Sequence, residues 1–330
     1  MKKLWIVALA FTLQLCAQKN EKTLYWPQPP EKAKIAYVKS ISKAEDLDIK
    51  KGFFAKIWDF FAGSEEKKLI KPFGIHFSDD KLYITDIGAK ALFIFDLKNK
   101  KLKTIDVKKE FRFISPIDVT TDKRDNIYIT DSVQKVVMVL DKNGNFLRKI
   151  GEKRLKRPTG IAYNKEKDLI LVSDTLASKI KIFTPKGEYK SFIGGLGNKN
   201  GEFNRPTFIN FDDKGFLYVS DSMNHRVQIF DKKGKFVKKF GSLGNTIGSF
   251  SNPRGLAVDK YGNIYITDTL FHAIQIFDNN GNILLSLGSY GQKAGEFAMP
   301  EDIEITKEGF VYVTDSYNMR VQIFKILNYK

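Results

Sequence analysis

Four charged residues that follow prolines have the side chains in this sequence best suited to hold a ligand. Arg254 and Glu301 each come directly after a proline, and Asp118 and Asp302 come two residues after theirs. Carboxylate oxygens that converge in this way bind divalent cations or polar ligands. The alternative, which we favour, is an ion pair between Arg254 and Glu301 that closes this site without any ligand.

The three histidines are poorly placed for catalysis. His76 lies within a predicted strand, whereas His225 and His272 occupy equivalent loops of two neighbouring repeats. Three such positions do not converge on a tetrahedral zinc ion, and no Ser–His–Asp arrangement can be identified. We therefore favour a non-enzymatic protein without a cofactor. The alternative is a hydrolase or lyase that depends on a divalent cation held by Glu301, Asp302 and Asp118.

Two markers recur along the chain at matching intervals and divide it into six repeats. Each repeat begins with a proline, and an aspartate follows 14 to 16 residues later. The prolines are Pro72, Pro116, Pro158, Pro206, Pro253 and Pro300, and the aspartates are Asp86, Asp131, Asp174, Asp221, Asp268 and Asp315. The prolines are between 42 residues (116 to 158) and 48 residues (158 to 206) apart. This period indicates one repeat architecture rather than two domains.

Each repeat contains short runs of β-branched and aromatic residues separated by turn dipeptides such as Asn143-Gly144 and Asn280-Gly281. Glycine at these positions supplies the positive φ that tight hairpins need. Four such strands per repeat predict an all-β, six-bladed β-propeller over residues 34–330. The last repeat has no fourth strand of its own. Because residues 34–41 resemble one, we expect this N-terminal strand to complete the last blade and close the ring.

The clearest repeat runs from Pro253 to Asp278 and reads Pro-Arg-Gly-Leu-Ala-Val-Asp, then Ile-Tyr-Ile-Thr-Asp, then Ile-Gln-Ile-Phe-Asp. This pattern, like Asn224 to Asp231, resembles the NHL repeat. The resemblance implies the propeller fold, but the family includes lyases, sensors, RNA-binding domains and scaffolds, so it does not give the function. The chain also looks like bacterial envelope lipoproteins with six-bladed propellers.

Two enzyme groups that resemble this fold imply channel residues that can be checked in the sequence. The peptidyl-hydroxyglycine amidating lyases hold zinc with three channel histidines just after the prolines, and this sequence has no histidine there. Gluconolactonase-like propellers place a channel glutamate with Asn and Asp around calcium. Glu301 fits that glutamate, but no asparagine occupies a predicted channel position.

Residues that occur in every blade cannot mark a single active centre. We therefore interpret the six repeated aspartates as structural acceptors of backbone N–H bonds in the turn that follows. Function is expected where blades differ. At the second residue after the proline, three blades have glycine and the others have Asp118, Phe208 and Asp302.

Alternating strand directions put the prolines and the repeated aspartates on one face of the ring, which we call the Pro–Asp face. The turns between first and second strands lie on the opposite face, the hairpin face. We predict that an envelope protein or peptide contacts the Pro–Asp face. The loop residues predicted to take part are Asn224, Arg226, Asn318 and Arg320.

The N-terminus is typical of an exported protein. Residues 1–15 include two lysines and an apolar run that is too short to span a bilayer, which fits a signal sequence. Cys16 ends the run as in a bacterial lipoprotein signal, so we predict a lipid anchor there, with cleavage after Ala17 and simple secretion as the alternative. Residues 16–33 include a proline-rich stretch, which predicts a stiff tether. Aromatic residues at helical spacing predict a short helix at 52–63 that packs on the ring, with an exposed contact to a membrane or partner as the alternative.

The net charge of the chain is +17, from 55 Lys and Arg against 38 Asp and Glu. Such a charge suits nucleic acid, but the predicted export argues against that partner. An anionic membrane surface is a second explanation. We favour a third, in which lysines in hairpins and outer strands keep a monomeric ring soluble outside the cytoplasm.

Overall fold

The computed structural model describes residues 24–47, 49, 67–108 and 110–327. The predicted signal at 1–15, Cys16 and the predicted helix at 52–63 lie outside these ranges. Within them, 25 strands and four short 3₁₀ helices form the regular structure. The 3₁₀ helices span Ala44–Leu47, Thr175–Ala177, Ser222–Asn224 and Ser316–Asn318. No helix among the described residues is both long enough and apolar enough to cross a bilayer.

The strands form six antiparallel sheets, which we number as blades. Two strands precede blade 1: β1 (Tyr25–Trp26) and β2 (Ile35–Ile41). Blade 1 contains β3 (Pro72–Ser78), β4 (Lys81–Asp86), β5 (Ala91–Asp96) and β6 (Lys101–Ile105). Blade 2 contains β7 (Pro116–Thr121), β8 (Ile127–Asp131), β9 (Val136–Leu140) and β10 (Phe146–Ile150). Blade 3 contains β11 (Pro158–Asn164), β12 (Leu169–Asp174), β13 (Lys179–Phe183) and β14 (Tyr189–Gly194).

The second half of the ring repeats this order. Blade 4 contains β15 (Pro206–Phe211), β16 (Leu217–Asp221), β17 (Arg226–Phe230) and β18 (Phe236–Phe240). Blade 5 contains β19 (Pro253–Val258), β20 (Ile264–Asp268), β21 (Ala273–Phe277) and β22 (Ile283–Leu287). Blade 6 contains β23 (Pro300–Ile305), β24 (Phe310–Asp315) and β25 (Arg320–Ile326), with β2 and β1 at its outer edge. The first strand of each blade packs beside the first strands of both neighbours, and β23 packs beside β3, so the ring is closed.

The N-terminal strand closes the ring as the sequence predicts. β2 pairs antiparallel with β25, and Ile41 lies opposite Val321. The outermost strand was not expected, because we predicted a tether at 16–33. Within that range Tyr25 and Trp26 pair with β2, and the ring of Trp26 packs edge-on against Phe324 at 5.8 Å between centroids. Half-burial of the Trp26 ring on the last blade stabilises this pairing.

The repeated aspartates hold the loop that precedes the proline of their own blade. Asp268, for example, accepts hydrogen bonds from the backbone N–H groups of Ser251 and Asn252 at 2.7 and 2.9 Å. Bonds to the following turn, which we predicted, occur in blades 1, 2 and 5. These carboxylates are therefore structural, as expected, but they mainly fix where each first strand begins.

Hydroxyl groups next to these aspartates join neighbouring blades. Thr85 donates to the carbonyl of Ile117 in blade 2 at 2.7 Å, and Thr314 donates to the carbonyl of Phe73 in blade 1 at the same distance. The second bond crosses the seam between the last and first blades. Apolar clusters fill the spaces between sheets and complete the attachment of one blade to the next.

Candidate functional site

Bulky and minimal side chains alternate from blade to blade at one position of the innermost strands. At the second position after the proline, blades 2, 4 and 6 have Asp118, Phe208 and Asp302, and the other blades have glycine. A Cβ atom on Gly74 would lie 2.6 Å from the Cα atom of Asp118, and one on Gly255 would lie 2.4 Å from that of Asp302. Neighbouring blades approach too closely for two side chains. The space at the ring axis is therefore left to the three larger residues.

The two inner aspartates each bridge adjacent blades. Asp118 accepts hydrogen bonds from the backbone N–H of its neighbour Val119 at 2.7 Å and from that of Ile161 in blade 3 at 2.8 Å. Asp302 accepts equivalent bonds at 2.9 Å from Ile303 and from Ile75 in blade 1. Burial raises the pKa of both carboxyls, and the Asp118 carboxyl raises the pKa of Asp302 further.

An apolar plug closes the axis beside these acids. Phe73 stacks on Phe208 with 6.2 Å between ring centroids, and Ile117 joins them in one buried cluster. Phe73 and Ile117 stand directly after a proline, at the Pro–Asp side of the axis. The channel between the two faces is therefore blocked on that side.

A cavity of about 820 Å³ occupies the other side of the plug and opens on the hairpin face. Asp118, Phe208 and Asp302 lie at its closed end, and the hairpins between first and second strands form its mouth. The cavity is on the face opposite the one where we predicted contact with a partner. The phenylalanine plug leaves depth only on the hairpin side of the axis.

Glu304 and His76 face each other in the wall of this cavity. Oε1 of Glu304 lies 3.7 Å from Nδ1 of His76, and Nε2 of the same ring is 3.1 Å from the hydroxyl of Thr121. Burial, and then the nearby Asp302, raise the pKa of Glu304 to about 8. Burial, and then the charge of Lys165, lower the pKa of His76 to about 4. Both shifts favour the uncharged form of each side chain, and a cation placed beside Glu304 would oppose the shift of that carboxyl.

The sequence analysis did not identify Glu304 and placed His76 only within a strand, although a signal for both was present. Residues two and four positions after the proline share one face of a strand, because side chains alternate. The fourth positions are His76, Thr120, Ala162, Asn210, Ala257 and Glu304, and all of them line the cavity. The first and second positions after each proline instead contribute residues of the plug and of the closed end.

Arg254 and Glu301 form the ion pair that we favoured from the sequence. Nη1 of Arg254 lies 3.6 Å from Oε2 of Glu301. Burial raises the pKa of Glu301, while the charges of Arg254 and Lys71 oppose that shift. Neither member of the pair lines the cavity that contains Asp118 and Asp302. Within the described residues, no three or more His, Cys, Asp or Glu side chains are grouped to hold a metal ion.

The loop residues predicted to contact a partner are used inside the fold instead. The guanidinium of Arg226 donates to the carboxylate of Asp221 at 2.7 Å and to carbonyls of the loop before its own blade. Asn224 donates to the same carboxylate. Asn318 and Arg320 repeat this arrangement around Asp315. Since these donors bind the preceding loop, they offer little to a partner.

Comparisons with known proteins agree with this ring. A family model described as the NHL repeat matches residues 297–324, and one described as a 6-bladed beta-propeller matches residues 207–269. This chain is a six-bladed β-propeller that contains an NHL repeat. No curated protein matches its sequence.

Solved structures similar to this propeller have different activities. A streptogramin B lyase is 16% identical over 78% of this chain and 94% of its own, with a TM-score of 0.58. An auxiliary nutrient binding protein from Bacteroides thetaiotaomicron is 13% identical over 78% and 69%, with a TM-score of 0.62. The gluconolactonase XC5397 from Xanthomonas campestris is 13% identical over 78% and 87%, with a TM-score of 0.59. At these identities the likeness establishes the fold alone.

The Pro–Asp face of the propeller is rich in exposed apolar side chains. Of the 19 large apolar side chains that are exposed among the described residues, 12 lie in the loops of this face, whereas the first-to-second-strand hairpins contain only Tyr261. Five of the 12 occupy one repeat position, two residues after the repeated aspartate: Val133, Leu176, Met223, Leu270 and Tyr317. Three more, Leu196, Leu243 and Tyr290, occupy equivalent positions in the loops between blades and are at least 72% exposed. We call these eight residues the apolar ring.

Proposed function

We propose that this protein is an exported, non-enzymatic binding propeller whose Pro–Asp face docks a protein or peptide partner in the cell envelope. The apolar ring is the observation that supports this proposal most directly. Extended exposed apolar surface is uncommon on a soluble monomer and is typical of interaction sites. The ring also lies on the face that the sequence favoured, although the residues are different from those first predicted.

The charge of the Pro–Asp face narrows the chemistry of the partner. The loop at residues 241–252, between blades 4 and 5, contains no charged residue. The loop at residues 151–157, between blades 2 and 3, contains Lys153, Arg154, Lys156 and Arg157 against a single glutamate. A partner that places apolar side chains over blades 4 to 6 and acidic side chains over blades 2 and 3 would complement both regions.

Export supports an envelope partner and rests on the N-terminal sequence. Labelling with a fatty acid tests the anchor: we expect label on the wild-type chain and none on Cys16→Ser. Absence of label from both chains would favour simple secretion, and it would leave the docking proposal unaffected. The likeness to an auxiliary nutrient binding protein is compatible with a binding role.

The docking proposal is tested by removing part of the apolar ring. Leu176, Met223 and Leu270 are changed together to serine, and the variant is cross-linked in cells beside the wild type. Because all three side chains are at least half exposed, the fold should tolerate the change. We expect the cross-linked partner to be lost, and the purified variant to bind that partner about tenfold more weakly or worse.

The matched control carries Tyr261→Ser on the hairpin face, where one similarly exposed apolar side chain is removed. It should retain the cross-link. Equal cross-linking by the wild type and the triple variant would refute the docking proposal. A cross-link between two copies of this chain would point to self-association instead.

A further inference from the structure

The cavity on the hairpin face is a second site, independent of the apolar ring. Its volume of about 820 Å³ lies in the range of small-molecule pockets, about 300–1,000 Å³. The plug of Phe73 and Phe208 closes one end, so a ligand enters and leaves by the same mouth. Because the two sites lie on opposite faces, either proposal can fail while the other stands.

The charge of the cavity is opposite to that of the protein. Eight aspartates and three glutamates line it against three lysines, although the chain as a whole has a net charge of +17. A concave site lined by one sign of charge concentrates ligands of the other sign. The charge of the cavity therefore favours a cationic ligand over an anionic one.

The acidic groups form two layers at different depths. The inner layer is Asp118, Asp302 and Glu304. None of these three carboxyls forms an ion pair with a described Lys or Arg. At the mouth, the side chains of Asp79, Asp80, Asp125 and Asp213 form no hydrogen bond or ion pair with the described part of the chain. Those aspartates are available to a ligand without breaking any contact described here.

The wall at the level of Glu304 is otherwise neutral. Ala162 and Ala257 contribute methyl groups, and Thr120 and Asn210 contribute uncharged polar groups. A bare metal ion does not match this arrangement, because it needs several oxygens within one coordination sphere. An alkyl chain with ammonium groups at separate points matches it better, since the chain can lie along the wall while the charges meet the two acidic layers.

We propose that this cavity binds an aliphatic diamine or polyamine, with one ammonium group at Glu304 and the inner aspartates and another at the mouth. Asp118 and Asp302 already accept backbone hydrogen bonds, so Glu304 has the most acceptor capacity left. Its Oε1 meets only a 3.4 Å contact from the N–H of Phe77 and the neighbouring His76. Glu304 is therefore the main determinant of affinity in the inner layer.

Isothermal titration calorimetry with putrescine and spermidine tests the proposal on the purified protein. We expect saturable binding of both amines, with spermidine the tighter, and no binding of 1,4-butanediol, which has the carbon chain of putrescine without its charges. Glu304→Gln keeps the size of the side chain and should weaken binding about tenfold or more. Glu152→Gln removes one carboxylate from an exposed loop of the Pro–Asp face and should bind as the wild type does.

A mouth variant provides a second measurement. Asp79→Asn with Asp80→Asn changes two exposed side chains that form no hydrogen bond or ion pair with the described residues, so folding should be unaffected. Spermidine affinity should fall more than putrescine affinity. Absence of saturable heat with either amine would overturn the proposal. Unchanged affinity in Glu304→Gln, or displacement of spermidine by an equal concentration of Ca²⁺, would overturn it as well, the latter in favour of an inorganic cation.

Discussion

Phe73 and Phe208 come from opposite blades of the ring, the first and the fourth, and stack across its axis at 6.2 Å. This contact separates the two faces of the propeller. On one side lie the apolar ring and the ion pair of Arg254 and Glu301. On the other lies the acidic cavity. The division allows one ring to hold a partner at one face and a small ligand at the other.

Removal of the plug should destabilise the ring and open the cavity. Phe208→Ala deletes a nearly completely buried ring, and such deletions cost about 3–5 kcal/mol. We expect the lower end of this range, because water from the cavity can enter the new space. Urea unfolding measures the loss, and Phe192→Ala, which removes an exposed ring, should change little. Equal effects of the two variants would show that the stacked pair does not support the ring.

The closing strand should contribute to stability as a core strand does. Ile41→Ala removes a side chain with no exposed surface from the outer strand of blade 6, so we expect a loss of about 2–5 kcal/mol in the free energy of unfolding. Val38→Ala changes an exposed residue of the same strand and should have little effect. If both substitutions were silent in denaturant unfolding, ring closure by residues 35–41 would not stabilise the fold.

The sequence predicts most of this fold because its repeats are regular. The proline and aspartate positions locate all six blades. Because the last repeat has no fourth strand of its own, the sequence also predicts that the strand Ile35–Ile41 completes it. The prolines near Tyr25–Trp26 predict a tether and not a strand. The pairing of these two residues involves a contact between Trp26 and Phe324, about 300 residues away in the sequence. Short local signals do not report contacts of that range.

The candidate sites were less accessible to sequence reasoning. Asp118 and Asp302 were grouped with Arg254 and Glu301 as one site, because nothing in the pattern showed that Phe73 crosses the ring and leaves the cavity on the other face. Arg226 was predicted to contact a partner on the Pro–Asp face, but it is buried in the structure. It is buried because Asp221 and three backbone carbonyls satisfy its donors, and such burial depends on a loop about 25 residues earlier.

Stability should fall as the pH rises from about 6.5 to about 8, and Glu304 should be one cause. Its folded pKa of about 8 exceeds its unfolded value of 4.5, so its contribution is fully present at low pH and is lost as the pH rises through 8. The raised pKa values of Asp118, Asp302 and Glu301 act in the same direction. His76 has the opposite effect, but only between about 4 and 6.5.

The variant Glu304→Gln isolates this contribution. It should make the fall in the free energy of unfolding shallower by up to about 1 kcal/mol per pH unit between pH 6.5 and 8. Urea unfolding at several pH values in that window measures the slope, and Glu152→Gln should leave it unchanged. The interpretation fails if Glu304→Gln retains the full slope of the wild type.

Replacement of Arg226 should lower the free energy of unfolding by more than is usual for a residue beside a surface loop. Burial raises the pKa of Asp221 even though Asn224, the N–H of Asn204 and Arg226 oppose the shift. Arg226→Ala therefore leaves a buried carboxylate without its counter-charge, at a cost of about 3 kcal/mol or more. Blade 5 has Ala273 at the equivalent position. Its aspartate, Asp268, accepts hydrogen bonds from three backbone N–H groups, whereas Asp221 accepts one from the backbone, so Asp268 does not need an arginine. Thermal and urea unfolding should show a clear loss for Arg226→Ala. A loss below about 1 kcal/mol would mean that the pair behaves as an exposed one, and that the loop at 195–205 is held by other contacts.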